Sequence, residues 1–228
     1  MEPHGKRTAS VRTKIKELQA PVSIEEGIAL VKEAASKKFD EAVEVHMNLG
    51  IDRSKSEHIV RGTVVLPHGT GTTLKIACFA PESEHEAAKA AGATIVGGEE
   101  LVEQILKSEK TDFDIAVATP DMMRHLGKIG KILGMRGLMP NPKNETVTKT
   151  PVKTIEELSK GKITFRNDDG GNLHQAVGKA SFTDEQLKEN VEAYVAAIKK
   201  AKPDGIKGTY LRSVTLSSTM GPGVPITA

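Results

Sequence analysis

The chain has 228 residues, which is enough for one or two domains with their own hydrophobic cores. Its 38% hydrophobic and 27% charged residues are usual for a soluble protein, and a net charge of +2 does not by itself point to nucleic acid. Five Phe, two Tyr and no Trp count against a protein that stacks successive bases of a single strand. The sequence lacks any run of about 18 apolar residues, so we expect no membrane span.

The single cysteine, Cys78, cannot form a disulfide within the chain, which fits a reducing cytoplasm. It lies in the apolar run 74–79, and this position predicts a buried core thiol.

The first 68 residues predict one helix followed by two strands. Residues 1–20 are polar and basic, and Ser23 then begins a helix, because Glu26 three residues on completes a capping box. Strict alternation of apolar and polar residues over 43–49 predicts a half-buried strand, and a second strand is expected over 58–66.

From residue 69 the pattern changes to alternating strands and helices, which is typical of a parallel sheet with helices on both sides. Asp121 is a candidate cap for a short helix that follows the last of these strands. The predicted strands are 74–79, 94–96 and 115–118, and the predicted helices are 84–91 and 99–107.

After residue 159 the pattern changes back. Strands are predicted over 162–167 and 173–182, joined as an antiparallel pair by the turn at 168–171. Thr183 is expected to cap a long amphipathic helix that ends near residue 200, and a last strand is expected over 209–218.

The simplest architecture is an inserted α/β Rossmann-like domain, residues 69–158, within an α+β terminal domain. The terminal domain, residues 1–68 and 159–228, is expected to have an antiparallel sheet of split β-α-β type. Residues 69–158 hold 11 Lys and Arg against 13 Asp and Glu, whereas the rest of the chain holds 21 against 17. The terminal domain is therefore the better candidate for binding a phosphate backbone.

The sequence carries no motif that is specific for catalysis, and we expect no catalytic residue, no metal ion and no cofactor. The Gly-rich segment 69–73 precedes its strand, whereas a dinucleotide-binding loop follows one, so it is interpreted as a turn. The seven histidines lack metal-ligand spacing. The acid pairs Glu25-Glu26, Glu99-Glu100 and Glu156-Glu157 are expected in first helical turns, where carboxylates complement the helix dipole.

Two segments have an unusual composition. Residues 122–144 hold five basic and no acidic residues among several Gly and Pro, which fits either a structural loop or a basic patch for phosphates. Ser213, Thr215 and Ser217 are spaced by two and so line one face of a strand. This row is either a solvated β face or a surface that binds ribose hydroxyls and phosphates in a shallow RNA minor groove.

Together these segments resemble the ribosomal protein L-one family. The motifs are Gly-Met-Arg-Gly-Leu-Met-Pro-Asn-Pro-Lys at 134–143 and Ser-Ser-Thr-Met-Gly-Pro-Gly at 217–223, supported by matches at 37–45, 60–69, 97–98 and 177–182. The resemblance implies a terminal domain with an inserted Rossmann-like domain, and a ribosome-associated cytoplasmic protein that is not an enzyme. It also implies binding to a stem-loop of large-subunit rRNA at the mobile stalk, help in releasing exit-site tRNA, and repression of translation by binding its own operon mRNA. Outside the ribosome a monomer is expected.

The resemblance also implies which residues bind RNA. Met135, where a Pro is common, and Asp169, where a Lys is common, depart from the family pattern. The expected RNA-binding residues are Lys38, Phe39, Arg166, Asn167, His174, Lys179, Ser213, Thr215, Ser217, Thr219, Met220 and Gly221. A second contact is expected from Lys128, Lys131, Arg136 and Lys143.

Two other functions stay open at this point. An enzyme would use the carboxyl ends of the inserted parallel strands as a nucleotide site. A protein–protein scaffold would need a heptad repeat or an exposed apolar stripe, and the sequence offers neither.

Overall fold

The computed structural model describes residues 6–18, 21–36, 38–52, 58–203, 205–206 and 208–227. The chain divides into two compact units, the terminal unit (residues 1–71 with 163–228) and the inserted unit (residues 72–162). The inserted domain was predicted over residues 69–158, which lies within a few residues of these bounds. The assignment of RNA binding to the terminal domain stays a prediction.

The elements of the described ranges are as follows. The helices are α1 (Lys6–Glu17), α2 (Ile24–Ala34), α3 (His85–Ala90), α4 (Glu99–Ser108), α5 (Met123–Leu126), α6 (Gly130–Met135), α7 (Pro151–Ser159) and α8 (Asp184–Lys200). The strands are β1 (Ala42–Leu49), β2 (Arg61–Val65), β3 (Ile76–Phe79), β4 (Ile95–Gly97), β5 (Ile115–Ala118), β6 (Lys162–Arg166), β7 (Asn172–Lys179), β8 (Leu211–Ser218) and β9 (Val224–Ile226).

The terminal unit is built on an antiparallel sheet in the order β7-β1-β8-β9. Alternation along β1 buries every second side chain, and these buried residues share one hydrophobic core with α2 and α8. The predicted capping box of Ser23 with Glu26 is confirmed, as is the predicted cap at Thr183, which forms a capping box with Gln186. One face of the sheet is therefore covered by helices, and the side chains of β1 on the other face are partly exposed.

The prediction that β6 and β7 form one hairpin is wrong. The turn between them does close, since the Gly171 amide donates to the Asp168 carbonyl over 3.1 Å. However, β6 pairs with β2 in a separate two-stranded sheet, while β7 pairs with β1. The ring of Phe165 packs so closely on Gly62 that a Cβ there would stand 2.8 Å from it. This packing favours β2 as the partner of β6.

Two elements of the terminal unit were not predicted. The first is α1, whose apolar stripe is narrow: Val11 is fully buried and Ile15 packs partly on the core. The second is β9, which contains Pro225 and is only three residues long. Proline is tolerated there because β9 pairs with β8 as the last strand in the order of that sheet.

The inserted unit contains the parallel sheet that the alternating pattern predicted, in the order β4-β3-β5. Hydrophobic clusters lie on both sides of it. The prediction for Cys78 is confirmed, because the side chain is fully buried and unpaired, and burial raises the pKa of the thiol to about 11. None of the helices in the described ranges is long and apolar enough to span a membrane.

Three local predictions for the inserted unit are wrong. Asp121 does not cap a helix, since α5 begins after Met122 without a side-chain cap. The pair Glu156-Glu157 lies in the second half of α7 rather than in its first turn. Of the two interpretations of residues 122–144, the structural loop does not hold for most of the segment, which is helical because Ile129 and Leu133 continue a buried stripe through a 3-10 turn and α6.

Candidate nucleic-acid interface

The uncovered side of the terminal sheet, here called the open face, carries polar side chains in matched rows. Its members are Asn172, His174 and Ala176 on β7, Ala42, Glu44, His46 and Asn48 on β1, and Ser213, Thr215 and Ser217 on β8. His46 stands between His174 and Thr215, and Asn48 stands between Asn172 and Ser213. The three hydroxyls therefore share one face, as their spacing by two predicted.

Hydrogen bonds tie the rows of the open face together. The side-chain amide nitrogen of Asn48 donates to the side-chain oxygen of Asn172 over 2.7 Å. The Nδ1 atoms of His46 and His174 are 2.8 Å apart, and His46 Nε2 lies 2.9 Å from the Ser217 hydroxyl oxygen. Burial lowers the pKa of His46, and the neighbouring His174 lowers it further, while Glu44 opposes both. The sequence offered no sign of this network, because its members lie far apart along the chain.

At one end of the open face two large apolar side chains are exposed to solvent. Phe39 is 52% exposed just before β1, and Met220 is 66% exposed just after β8. We call these two residues the Phe39–Met220 edge. Phe39 is therefore not part of the hydrophobic core. Exposed aromatic and thioether groups of this kind suit contact with a sugar or a base.

A buried carboxylate organises this edge. Glu41 is fully buried, and its two oxygens accept hydrogen bonds from the backbone amides of Ser36, over 2.6 Å, and Met220, over 3.2 Å. It thus joins the chain before β1 to the chain after β8. Sequence reasoning missed Glu41, because a single acidic residue beside a strand carries no local signal of burial.

The structure gives Thr219 and Gly221 a part in shaping the edge. The Thr219 hydroxyl oxygen accepts from the Ala42 amide over 3.0 Å, so it is engaged within the sheet. At Gly221 a Cβ would stand 2.4 Å from the Ser218 hydroxyl, so only glycine fits there without a shift. Their expected contacts with RNA stay predictions.

The remaining expected residues of the terminal unit lie around the open face in different ways. Lys38 is exposed beside Phe39, and Lys179 is half-buried at the end of β7. Arg166 and Asn167 line a cleft of about 290 Å³. The Asn167 side chain accepts from the Val60 amide over 2.8 Å, which joins the chain ahead of β2 to the end of β6.

The residues of the expected second contact are exposed on the inserted unit. Lys128, Lys131, Arg136 and Lys143 all reach solvent around α6 and the turn that follows it. The Arg136 guanidinium donates to the Thr111 hydroxyl and to the backbone carbonyl of Glu109. These cations form a basic patch whose role stays a prediction.

The carboxyl ends of the parallel strands do not favour a nucleotide. A pocket of about 580 Å³ lies there, lined in part by Glu82, Glu99 and Glu100. Three carboxylates would repel phosphate groups. In the part of the chain that the structure describes, no group of three or more His, Cys, Asp or Glu side chains could hold a metal ion.

Comparison with known proteins places the open face and the Phe39–Met220 edge inside a matched region. The model of the ribosomal protein L1p/L10e family matches residues 31–222. The relatives below are all named large ribosomal subunit protein uL1. That of Methylobacillus flagellatus is 51% identical over 224 residues, covering 96% of this chain and 97% of the relative. The relative from Vibrio atlanticus is 50% identical over 221 residues, covering 97% of this chain and 94% of the relative. The relative from Thermosipho africanus is 49% identical over 226 residues, covering 99% of this chain and 97% of the relative. The resemblance inferred from the motifs is confirmed, and the chain belongs to the ribosomal protein L1p/L10e family.

Proposed function

We propose that the chain is a constituent of the large ribosomal subunit and binds large-subunit rRNA through the terminal unit. The observation that carries this proposal is the open face, a sheet surface of small polar side chains next to the exposed Phe39–Met220 edge. The names of the relatives support the assembly part of the proposal, since each is called a large ribosomal subunit protein.

The shape of the open face suits double-stranded RNA. The minor groove of an A-form helix is wide and shallow and displays ribose 2′-hydroxyls. Ser213, Thr215 and Ser217 can donate to and accept from such hydroxyls and phosphate oxygens. Their small size lets the RNA come close to the sheet, while Phe39 and Met220 add apolar contact at one end.

The finer parts of the proposal concern the target and the role. The RNA would be a stem-loop at the mobile stalk, and the basic patch on the inserted unit would add a second contact. The protein would assist release of exit-site tRNA and act as a ribosome-associated cytoplasmic protein without catalytic activity. It would also bind its own operon mRNA as a translational repressor, and it would be a monomer outside the ribosome.

The first test is equilibrium binding of the full chain to a stalk stem-loop and to an unrelated hairpin of equal length, across a salt series. Non-specific electrostatic binding weakens steeply as salt rises, because counterions are no longer released favourably. A preference for the stalk stem-loop that persists at higher salt supports the proposal. Equal binding to both hairpins, lost together as salt rises, would refute it.

A second test replaces one residue of the Phe39–Met220 edge. Met220→Asp places a carboxylate against the RNA and is expected to weaken binding by about tenfold or more, since a lost contact and a repulsive charge each cost about 1 kcal/mol or more. The matched control is Leu106→Asp, which changes a 48% exposed residue on the inserted unit. Equal affinity of both variants for the stem-loop would count against the edge as a contact.

The repressor role has its own test. If one surface serves both RNAs, the stalk stem-loop and the matching segment of the operon mRNA must compete for the full chain. Unlabelled stalk RNA is expected to displace labelled mRNA completely. Simultaneous binding of both would contradict a shared surface, while leaving rRNA binding itself intact.

A further inference from the structure

Three hydrogen-bonded side chains, those of His174, His46 and Ser217, cross the open face from β7 to β8, and the Asp168 carboxylate lies beside His174. Asp168 Oδ2 lies 3.5 Å from His174 Nε2, and His174 Nδ1 lies 2.8 Å from His46 Nδ1. His46 Nε2 in turn lies 2.9 Å from the Ser217 hydroxyl oxygen. Glu44 is the other charged group facing this chain, 3.7 Å from His46 Nε2. All four residues are partly exposed, so a ligand on the open face can reach them.

The distance between the two imidazoles restricts where their protons can be. A nitrogen–nitrogen distance of 2.8 Å requires that one Nδ1 atom donates and the other accepts. In the neutral pair, the nearby Asp168 carboxylate favours a proton on His174 Nε2, and His46 Nδ1–H then donates to His174 Nδ1. His46 Nε2 is then an acceptor, and it is satisfied by the hydroxyl hydrogen of Ser217.

One added proton reverses this arrangement without breaking any contact. The proton enters at His46 Nε2, and the shared proton moves from His46 Nδ1 to His174 Nδ1. The positive charge then lies on His174, beside the Asp168 carboxylate. Ser217 becomes an acceptor from His46, so its own hydroxyl hydrogen is released towards the open face. A second proton is opposed, because it would place two N–H groups against each other at 2.8 Å.

We propose that the His46–His174 pair is a proton-linked binding site for an RNA phosphodiester oxygen, filled when the pair takes up one proton. The singly protonated pair offers an anion both a cation and the released Ser217 hydroxyl hydrogen, whereas the neutral pair offers neither. This inference rests on the proposed function, since it assumes that RNA covers the open face. The side chains next to the pair on β8, Thr215 and Ser217, are uncharged, so the charges that face it are those of Glu44 and Asp168.

Linkage sets the direction and size of the effect. Binding of an anion to the protonated form favours proton uptake, so affinity must rise as the pH falls. Uptake of one proton allows at most about a tenfold change in affinity per pH unit. Because burial and the neighbouring His174 lower the pKa of His46, the gain in affinity is expected on the acid side.

The test measures affinity of the full chain for the stalk stem-loop between about pH 5.5 and 7.5 at constant ionic strength. The wild type is expected to gain about three- to tenfold towards the acid end. His46→Gln and His174→Gln should lose that gain, and Ser217→Ala should keep only part of it. His125→Gln, on the inserted unit, is the matched control and should keep the wild-type profile. Thermal unfolding of each variant checks that it is folded.

A second measurement needs neither RNA nor a variant. Nitrogen-15 spectra of the imidazole rings in the free chain should show one shared proton taken up by the pair across the acid range. Full and independent protonation of both rings would overturn the inference, as would identical pH profiles for the wild type and both His variants. Absence of selective RNA binding at every pH would instead refute the proposed function itself.

Discussion

Replacing Glu41 by Gln changes one buried charge and keeps the shape of the side chain. Glu41 is fully buried and accepts from the amides of Ser36, in the segment before β1, and Met220, in the segment after β8. A glutamine can accept from only one of them. Its NH₂ group must face the other amide, so that one buried N–H is left without an acceptor.

The expected loss follows from these hydrogen bonds. A bond to a charged group contributes about 1.5–3 kcal/mol, and a bond between neutral groups about 0.5–1.5 kcal/mol. A buried donor without a partner costs a further 1–3 kcal/mol, roughly, while removing a buried charge offsets part of this. We therefore expect the free energy of unfolding to fall by about 3 kcal/mol, which lowers Tm by about 10 °C in a chain of this size.

Thermal unfolding followed by circular dichroism measures the stability change. Binding to the stalk stem-loop well below Tm then measures whether the Phe39–Met220 edge is displaced. The matched control is Glu33→Gln, which removes an exposed ion pair with Lys14 and should change stability by less than about 1 kcal/mol. A Tm within about 2 °C of the wild type would refute the reasoning that Glu41 holds the edge together.

Two further predictions concern stability. Gly221→Ala should destabilise the chain by about 1–3 kcal/mol in thermal unfolding, because the new Cβ would overlap the Ser218 hydroxyl, whereas Gly134→Ala in α6 meets no atom within 4 Å and should raise Tm slightly. A hydrogen bond from Lys162 lowers the pKa of Glu157 in the folded chain. This pair therefore stabilises the fold fully at a pH above the ordinary pKa of a glutamate, and the stabilisation is lost as the pH falls through the lowered pKa. Glu157→Gln should therefore flatten the acid side of a stability-against-pH curve; an unchanged curve would contradict the pairing.

Features set by neighbours in sequence were predictable. The capping box at Ser23 needs only a side chain three residues away, and the alternation along β1 needs only a two-residue period. The alternation of strands and helices over residues 74–118 is also a local pattern. It predicted the parallel sheet although the sequence does not show which strands pair.

Partner choice between distant segments was not predictable. A turn signal at 168–171 favours a hairpin, but packing of Phe165 on Gly62 gives β6 a different partner. The helix at 130–135 was not predicted from the sequence for another reason. Its glycines have low helix propensity, and only the buried positions of Ile129 and Leu133 overcome that.

The site was predicted in part for the same physical reason. The spacing of Ser213, Thr215 and Ser217 is a local pattern, so their common face followed from the sequence. His46 and Glu41 carry no such pattern. The partner of His46 lies 128 residues away, and Met220 becomes a neighbour of Glu41 only when β8 pairs with β1.

The charges on the open face bear on how RNA would be selected. Glu44 and Asp168 stand beside the histidine pair, and both oppose a polyanion that has no complementary contacts. The favourable free energy from hydroxyl contacts and shape complementarity must therefore exceed the repulsion between RNA phosphates and these carboxylates. An RNA duplex whose shape does not match the open face lacks those contacts and so binds more weakly than one that matches it. The salt dependence of specific binding should accordingly be shallower than that of a protein that binds through a row of lysines, because fewer counterions are released.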